Sequence, residues 1–193
     1  MASSMEDIKT LRDDTGVSIM QCKKALEEGG GDIEKAKVLL RKVSSQIADK
    51  KADRDLASGT VGVYLHQGGS VAGVIVLSCE TDFVAKNEEF KALAYDIAMH
   101  VAAMAPQFLT KDDVKDEDVA AAKAVFEEEA ADKPKDMQEK IVVGKMNSYL
   151  KEKVLMEQPF VKDADKTISE LVKEATQKFG ERVEITRSER FGA

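Results

Sequence analysis

The chain has 193 residues, 43% of them hydrophobic and 34% charged, which accommodates one domain of ordinary size plus a small module. Its net charge of −7 argues against phosphate-backbone binding as the main activity, because such binding draws on clustered Lys and Arg, and it favours a protein partner without direct nucleic-acid contact. No window approaches the ~20 uninterrupted apolar residues of a membrane span, and the opening "MASSMEDIKT" lacks the pattern of a leader, so a cytoplasmic protein with no removed segment is expected.

Residues 1–43 read as three short helices. Ser3 stands three before Glu6 as a capping box, and Met5, Ile8 and Leu11 recur at helical spacing until Thr15-Gly16. Ser18 with Gln21 makes a second box. Val17 and Cys22 sit at the positions of a hydrophobic staple, and Cys22, Ala25 and Leu26 continue an inner face as far as Gly29-Gly30-Gly31. Asp32 can cap a third helix carrying Ile33, Ala36, Leu39, Leu40 and Val43. A unit this small has a marginal core and suits docking better than catalysis. Ile19 and Met20 both fall in the first turn of helix two, where one face cannot easily bury both along with Cys22, so an exposed apolar residue is expected there.

Residues 44–58, "SSQIADKKADRDLAS", have mixed charges and weak apolar periodicity and read as a linker, partly helical at most. The period then changes. "TVGVYLH" and "SVAGVIVLSC" are β-rich runs separated by Gln67-Gly68-Gly69, a hairpin signal, and the second is apolar nearly throughout, as a central strand would be. Asn87 caps a long helix whose Phe90, Leu93, Ala94, Ile97, Ala98, Val101 and Met104 trace one face up to Pro106, placing it against the sheet. Residues 112–131 are acidic, Ala-rich and helical by pattern, and a further helix runs from about Asp136 to Val154 beyond Pro134. Thr167 with Glu170 opens a helix over Ile168, Leu171, Val172 and Ala175 that closes at Gly180, and "RVEITR" alternates like a strand that completes the sheet. The class is α+β: three helices, a linker over 44–58, then a core over 59–193 with a small antiparallel sheet packed against helices.

No catalytic constellation can be assembled. The two histidines, His66 and His100, offer little for a metal site; there is no HExxH, no Gly-rich phosphate loop, and no Ser or Cys nucleophile with an evident base. His66 reads as a polar turn residue and His100 as a surface or packing residue. Cys22 and Cys79 have no metal spacing and read as buried thiols. The acids of 112–131 lack the spacing and Gly of a calcium loop and form a solvated face. No enzyme chemistry and no cofactor are expected.

"LRDDTGVSIMQCKKALEEGGGDIEKAKVLLRK" (11–42) resembles the N-terminal signature of the elongation factor Ts family, and "CETDFVAKNEEF" (79–90) resembles its second signature. The likeness continues through "DIAMHVAAMAP", "EKIVVGKM" and "EQPFVKD", spanning nearly the whole chain. The resemblance implies a guanine nucleotide exchange factor for elongation factor Tu in translation elongation, binding its GDP-bound and nucleotide-free forms. It also implies a ubiquitin-associated-like N-terminal module and an α/β core. By the same resemblance, Thr81, Asp82, Phe83 and Val84 lie in the motif whose aromatic side chain is pushed between helices of the GTPase near its magnesium site. Arg12, Ile19 and Met20 would touch a helix of the GTPase domain, and His66 in "YLHQGG" would also face the partner. Longer members carry two related core halves, a helical hairpin insertion and an added C-terminal helix. This chain reads as one compact core ending at "RSERFGA", so a homodimer acting on two GTPases is expected. The competing readings are an adaptor that binds helical partners without affecting nucleotide, and a thiol enzyme centred on Cys79.

Overall fold

In the computed structural model, which describes residues 4–193, the first three helices are α1 (Met5–Thr15), α2 (Ile19–Glu28) and α3 (Ile33–Lys51). Strands β1 (Ser58–Leu65) and β2 (Val71–Cys79) follow, then α4 (Asp82–Ala85), α5 (Glu88–Met104), α6 (Asp116–Ala130) and α7 (Lys135–Lys153). The chain closes with β3 (Pro159–Phe160), β4 (Asp163–Thr167), α8 (Ile168–Phe179) and β5 (Glu184–Gly192). One sheet has the order β1-β2-β5 with β2 central, as its continuous apolar run requires, and β3 pairs antiparallel with β4. The class is α+β. Among the described residues no helix is long and apolar enough to cross a membrane.

The chain divides into two compact units. The first comprises Met1–Gly62, Val76–Tyr95 and Glu170–Thr186; the second comprises Val63–Ile75, Asp96–Ser169 and Arg187–Ala193.

In the first unit the helix caps follow the sequence closely. Ser18 accepts the Gln21 N–H at 3.4 Å, and Asp32 accepts the Lys35 N–H at 3.0 Å. The expected cap Ser3 lies outside the described residues. Ser4 fills that role and completes a capping box with Asp7. Ile8, Leu11, Val17, Cys22, Ala25, Leu26, Ala36 and Leu40 form the buried cluster of the three helices, with Ile33 and Leu39 packed against it. Val43 is not part of that cluster. Ser44, one residue on, is buried instead, its hydroxyl donating to the Arg41 carbonyl at 2.8 Å.

The expected linker is in large part helix, since α3 runs on to Lys51. Residues 44–51 bury Ser44 and half-bury Ile47 and Ala48, too few apolar positions to read as a stripe, and polar contacts that periodicity does not register lie near either end of them. Arg41 stands 4.0 Å from Glu174 of α8, and Lys51 Nζ donates to the Gly180 carbonyl at 2.6 Å. Phe90 of α5 meets Phe179 of α8 edge to face, with ring centroids 5.5 Å apart.

In the second unit the β1–β2 turn places Gly68 at φ +92° and Gly69 at φ +73°, a backbone that side chains other than glycine's rarely adopt. Gly73 of β2 sits so close to α5 that a Cβ there would lie 2.0 Å from the Ala98 carbonyl oxygen. The absent side chain is what lets strand and helix meet. Helices α6 and α7 pack on each other as a hairpin, with Phe126 and Tyr149 edge to face at 6.4 Å and Lys145 paired with Glu129. Leu155 and Phe108 tie its base to the segment after α5, through the Leu155 N–H donating to the Phe108 carbonyl at 2.8 Å.

Candidate functional site

The residues singled out in "CETDF" sit on an abrupt change of structure in the first unit. Strand β2 ends at Cys79, which is fully buried, and two residues later Thr81 serves as the N-cap of the four-residue α4. Because a single turn has only one inward side, α4 buries Val84 and Ala85 and turns Phe83 outward, leaving it 81% exposed. Asp82 and Lys86 close a salt bridge of 2.6 Å across the turn, which holds the Asp82 carboxyl below its ordinary pKa. An exposed Phe on a held turn is a surface feature, not core.

Beneath Phe83 the turn is anchored by polar contacts. Thr81 makes no side-chain cap to α4. Its hydroxyl instead donates to Glu181 Oε1 at 2.6 Å, and the Thr81 and Glu80 N–H groups donate to Glu181 Oε2 at 2.9 and 3.1 Å. Glu80 in turn accepts the Arg182 N–H at 2.5 Å and the Arg54 guanidinium at 3.2 Å, which lower its carboxyl pKa. Neither Glu181 nor Arg182 was legible as a site residue, since 100 positions separate them from the turn.

On the three-helix part of the same unit, Met20 is 82% exposed and Ile19 50% exposed, while Cys22 is buried between their helix and its neighbours. Arg12 is exposed in the last turn of α1. Gly16, at φ +66°, ends α1 with its N–H on the Arg12 carbonyl at 2.7 Å, so the three residues flank one short connection. The expectation of an exposed apolar residue in the first turn of α2 is met by two.

His66 belongs to the second unit, where it is exposed at the mouth of the β1–β2 hairpin with Nδ1 3.2 Å from the Tyr64 hydroxyl. A mostly apolar cavity of about 240 Å³ opens beside it, lined by Tyr64, His66, Val71, Met99, Ala102 and Val161 among others. His100 is wholly buried, the packing reading rather than the surface one. Its Nδ1 accepts the Val161 N–H at 3.2 Å and its Nε2 lies 2.9 Å from Gln158 Oε1, fixing a neutral Nε2–H tautomer.

Among the described residues no group of three or more His, Cys, Asp or Glu could hold a metal ion. Both cysteines are free and buried, and burial pushes each thiol pKa up, for Cys79 with the Glu181 carboxylate adding to the effect. A thiolate nucleophile is disfavoured there.

The family model for elongation factor Ts matches residues 24–192. The chain belongs to the elongation factor Ts family. It is 41% identical over 193 residues to elongation factor Ts of Coprothermobacter proteolyticus, covering 99% of this chain and 98% of that one. To elongation factor Ts of Thermosipho melanesiensis it is 44% identical over 186 residues, covering 95% of each chain. The relative from Desulforamulus reducens is 44% identical over 186 residues, covering 95% of this chain and 86% of the other. Membership of the elongation factor Ts family implies a nucleotide exchange factor for elongation factor Tu in translation elongation.

Proposed function

We propose that this chain accelerates GDP release from elongation factor Tu by inserting Phe83 beside the magnesium and phosphate site of the GTPase. The observation that carries this reading is an aromatic ring left 81% exposed on a turn whose neighbours are buried or hydrogen-bonded. Asp82 and Phe83 face the partner, Thr81 stands exposed at the start of the turn, and Val84, expected from the motif among the partner contacts, is 4% exposed and holds the turn from within; no chemistry of the factor's own is involved. Arg12, Ile19 and Met20 of the ubiquitin-associated-like helices, taken as 1–43, form a second contact on the GTPase domain, and His66 of the core contributes a third. The setting is the cytoplasm.

Exchange follows from linkage. A factor that binds the nucleotide-free GTPase more tightly than the nucleotide-bound form weakens nucleotide binding by the same factor. Burying one Phe contributes roughly 1.5 to 3 kcal/mol, about one to two decades in rate if all of it acts on release. A larger acceleration needs a second anchor, a role that the apolar first turn of α2 suits. Release of fluorescent GDP, with and without the factor, tests the reading.

The factor acts as a homodimer on two GTPases. Support comes from β1, an edge strand that leaves Val61, Val63 and Leu65 exposed at alternate positions, hence on one face of the strand. Sedimentation should give a dimer at micromolar concentration that Val63→Asp dissociates. A monomer with full exchange activity would contradict it.

A further inference from the structure

We propose that Glu181 is the positioning residue of the exchange turn, setting the direction of Phe83 without touching it. The inference rests on the reading of Phe83 as the inserted group.

Helix α4 is one turn long, too short to persist by its own hydrogen bonds. The side chain of its N-cap contributes nothing to it, because the Thr81 hydroxyl is turned away to Glu181; only the Thr81 carbonyl joins the turn, accepting the Ala85 N–H at 3.2 Å. What fixes the start of the turn is one carboxylate taking three donors, the Thr81 hydroxyl and the Thr81 and Glu80 N–H groups. Bonds to an ionised acceptor are about twice as strong as neutral ones. Cys79 Sγ adds a donor to the Thr81 carbonyl at 3.2 Å.

The interlock is reciprocal. Glu80 accepts the N–H of Arg182, the residue after Glu181, while Glu181 accepts the N–H of Glu80. Two segments about 100 positions apart are thereby joined acid to backbone in both directions. The far segment is itself fixed. Gly180 ends α8 at φ +71° with its N–H on the Thr176 carbonyl, and the Val183 N–H donates to the Thr176 hydroxyl at 3.2 Å. Lys51 holds the Gly180 carbonyl and Arg182 holds the Arg54 carbonyl, both at 2.6 Å, so the end of α3 meets the same loop. Glu181 thus transmits the position of a packed helix end to the turn that presents Phe83.

The physical consequence is preorganisation. A turn that must be ordered during docking loses part of the gain from burying its aromatic side chain, on the order of 1.4 kcal/mol or tenfold for one backbone residue and its side chain.

The test uses the full chain with 4-fluorophenylalanine at position 83, and compares Glu181→Ala, Glu181→Gln and Phe83→Ala. Glu181→Ala should lower the maximal rate of GDP release at saturating factor about tenfold, and should shift and broaden the fluorine signal of the free factor. Glu181→Gln, which keeps an oxygen acceptor, should recover part of both. Combined with Phe83→Ala, the Glu181 substitution should have no further effect. Melting temperatures of all variants separate misfolding from a displaced turn, and the Gln variant keeps the question answerable if the Ala variant unfolds. A full maximal rate with an unchanged fluorine signal in Glu181→Ala overturns the proposal, as does an additive loss on top of Phe83→Ala. Unaltered release by Phe83→Ala alone overturns the underlying reading of Phe83 as the inserted group, and the fluorine signal then reports separately whether Glu181 holds the turn.

Discussion

Phe83 and Val84 are consecutive residues of one helical turn, yet the first is 81% exposed and the second 4%. On the proposed function, the pair separates partner contact from stability. Val84→Ala leaves a small cavity and should cost roughly 1 to 3 kcal/mol, read as a fall of several degrees in melting temperature. Phe83→Ala should leave the melting temperature within about a degree, because its ring makes no buried contact to lose.

Two glycines should respond in opposite directions. At Gly73 an added Cβ would meet the Ala98 carbonyl oxygen at 2.0 Å and the Ala102 nitrogen at 2.8 Å, both backbone atoms that cannot swing aside. Gly73→Ala should therefore destabilise by about 3 kcal/mol or more. Gly144, inside α7, has nothing within 4 Å of such a Cβ. Gly144→Ala should stabilise by about 0.5 to 1 kcal/mol. Thermal melts of the two variants check both signs.

The periodic elements were legible in the sequence because their burial repeats. Phe90, Ala94, Ile97, Ala98 and Val101 all line the inner face of α5, and β2 is central as its apolar run implies. What periodicity could not reach is held by polar contacts between distant segments. The 44–51 stretch looks like a linker because it carries no clean apolar stripe and its end is anchored by a polar contact, Lys51 on Gly180. Strands β3 and β4 are too short to carry a period. At the site, the exposure of Met20 followed from the crowding of α2's first turn. The inward side of Val84 did not follow, since four residues define no face.

His100 makes stability pH-dependent in the weakly acidic range. Burial holds its pKa below the ordinary 6.5, and a proton on Nδ1 would oppose the Val161 N–H, so the folded chain keeps it neutral. The unfolded chain takes up the proton first. Its contribution to stability is fully present above about pH 6.5 and is lost as pH falls toward the depressed folded value, at up to about 1.4 kcal/mol per pH unit. Denaturant titrations at pH 7 and 5.5 should show this loss in the natural chain. In His100→Gln, which can still donate to Gln158 and accept from Val161, the loss should be smaller. Equal losses in both would contradict the assignment.

Stopped-flow release of fluorescent GDP from elongation factor Tu at fixed magnesium, comparing the natural chain with Phe83→Ala, decides whether Phe83 drives release as proposed. The natural chain should accelerate release, and the folded variant, with its proposed contact through Met20 intact, should do so at least about tenfold less. Equal acceleration by both proteins would contradict the proposal.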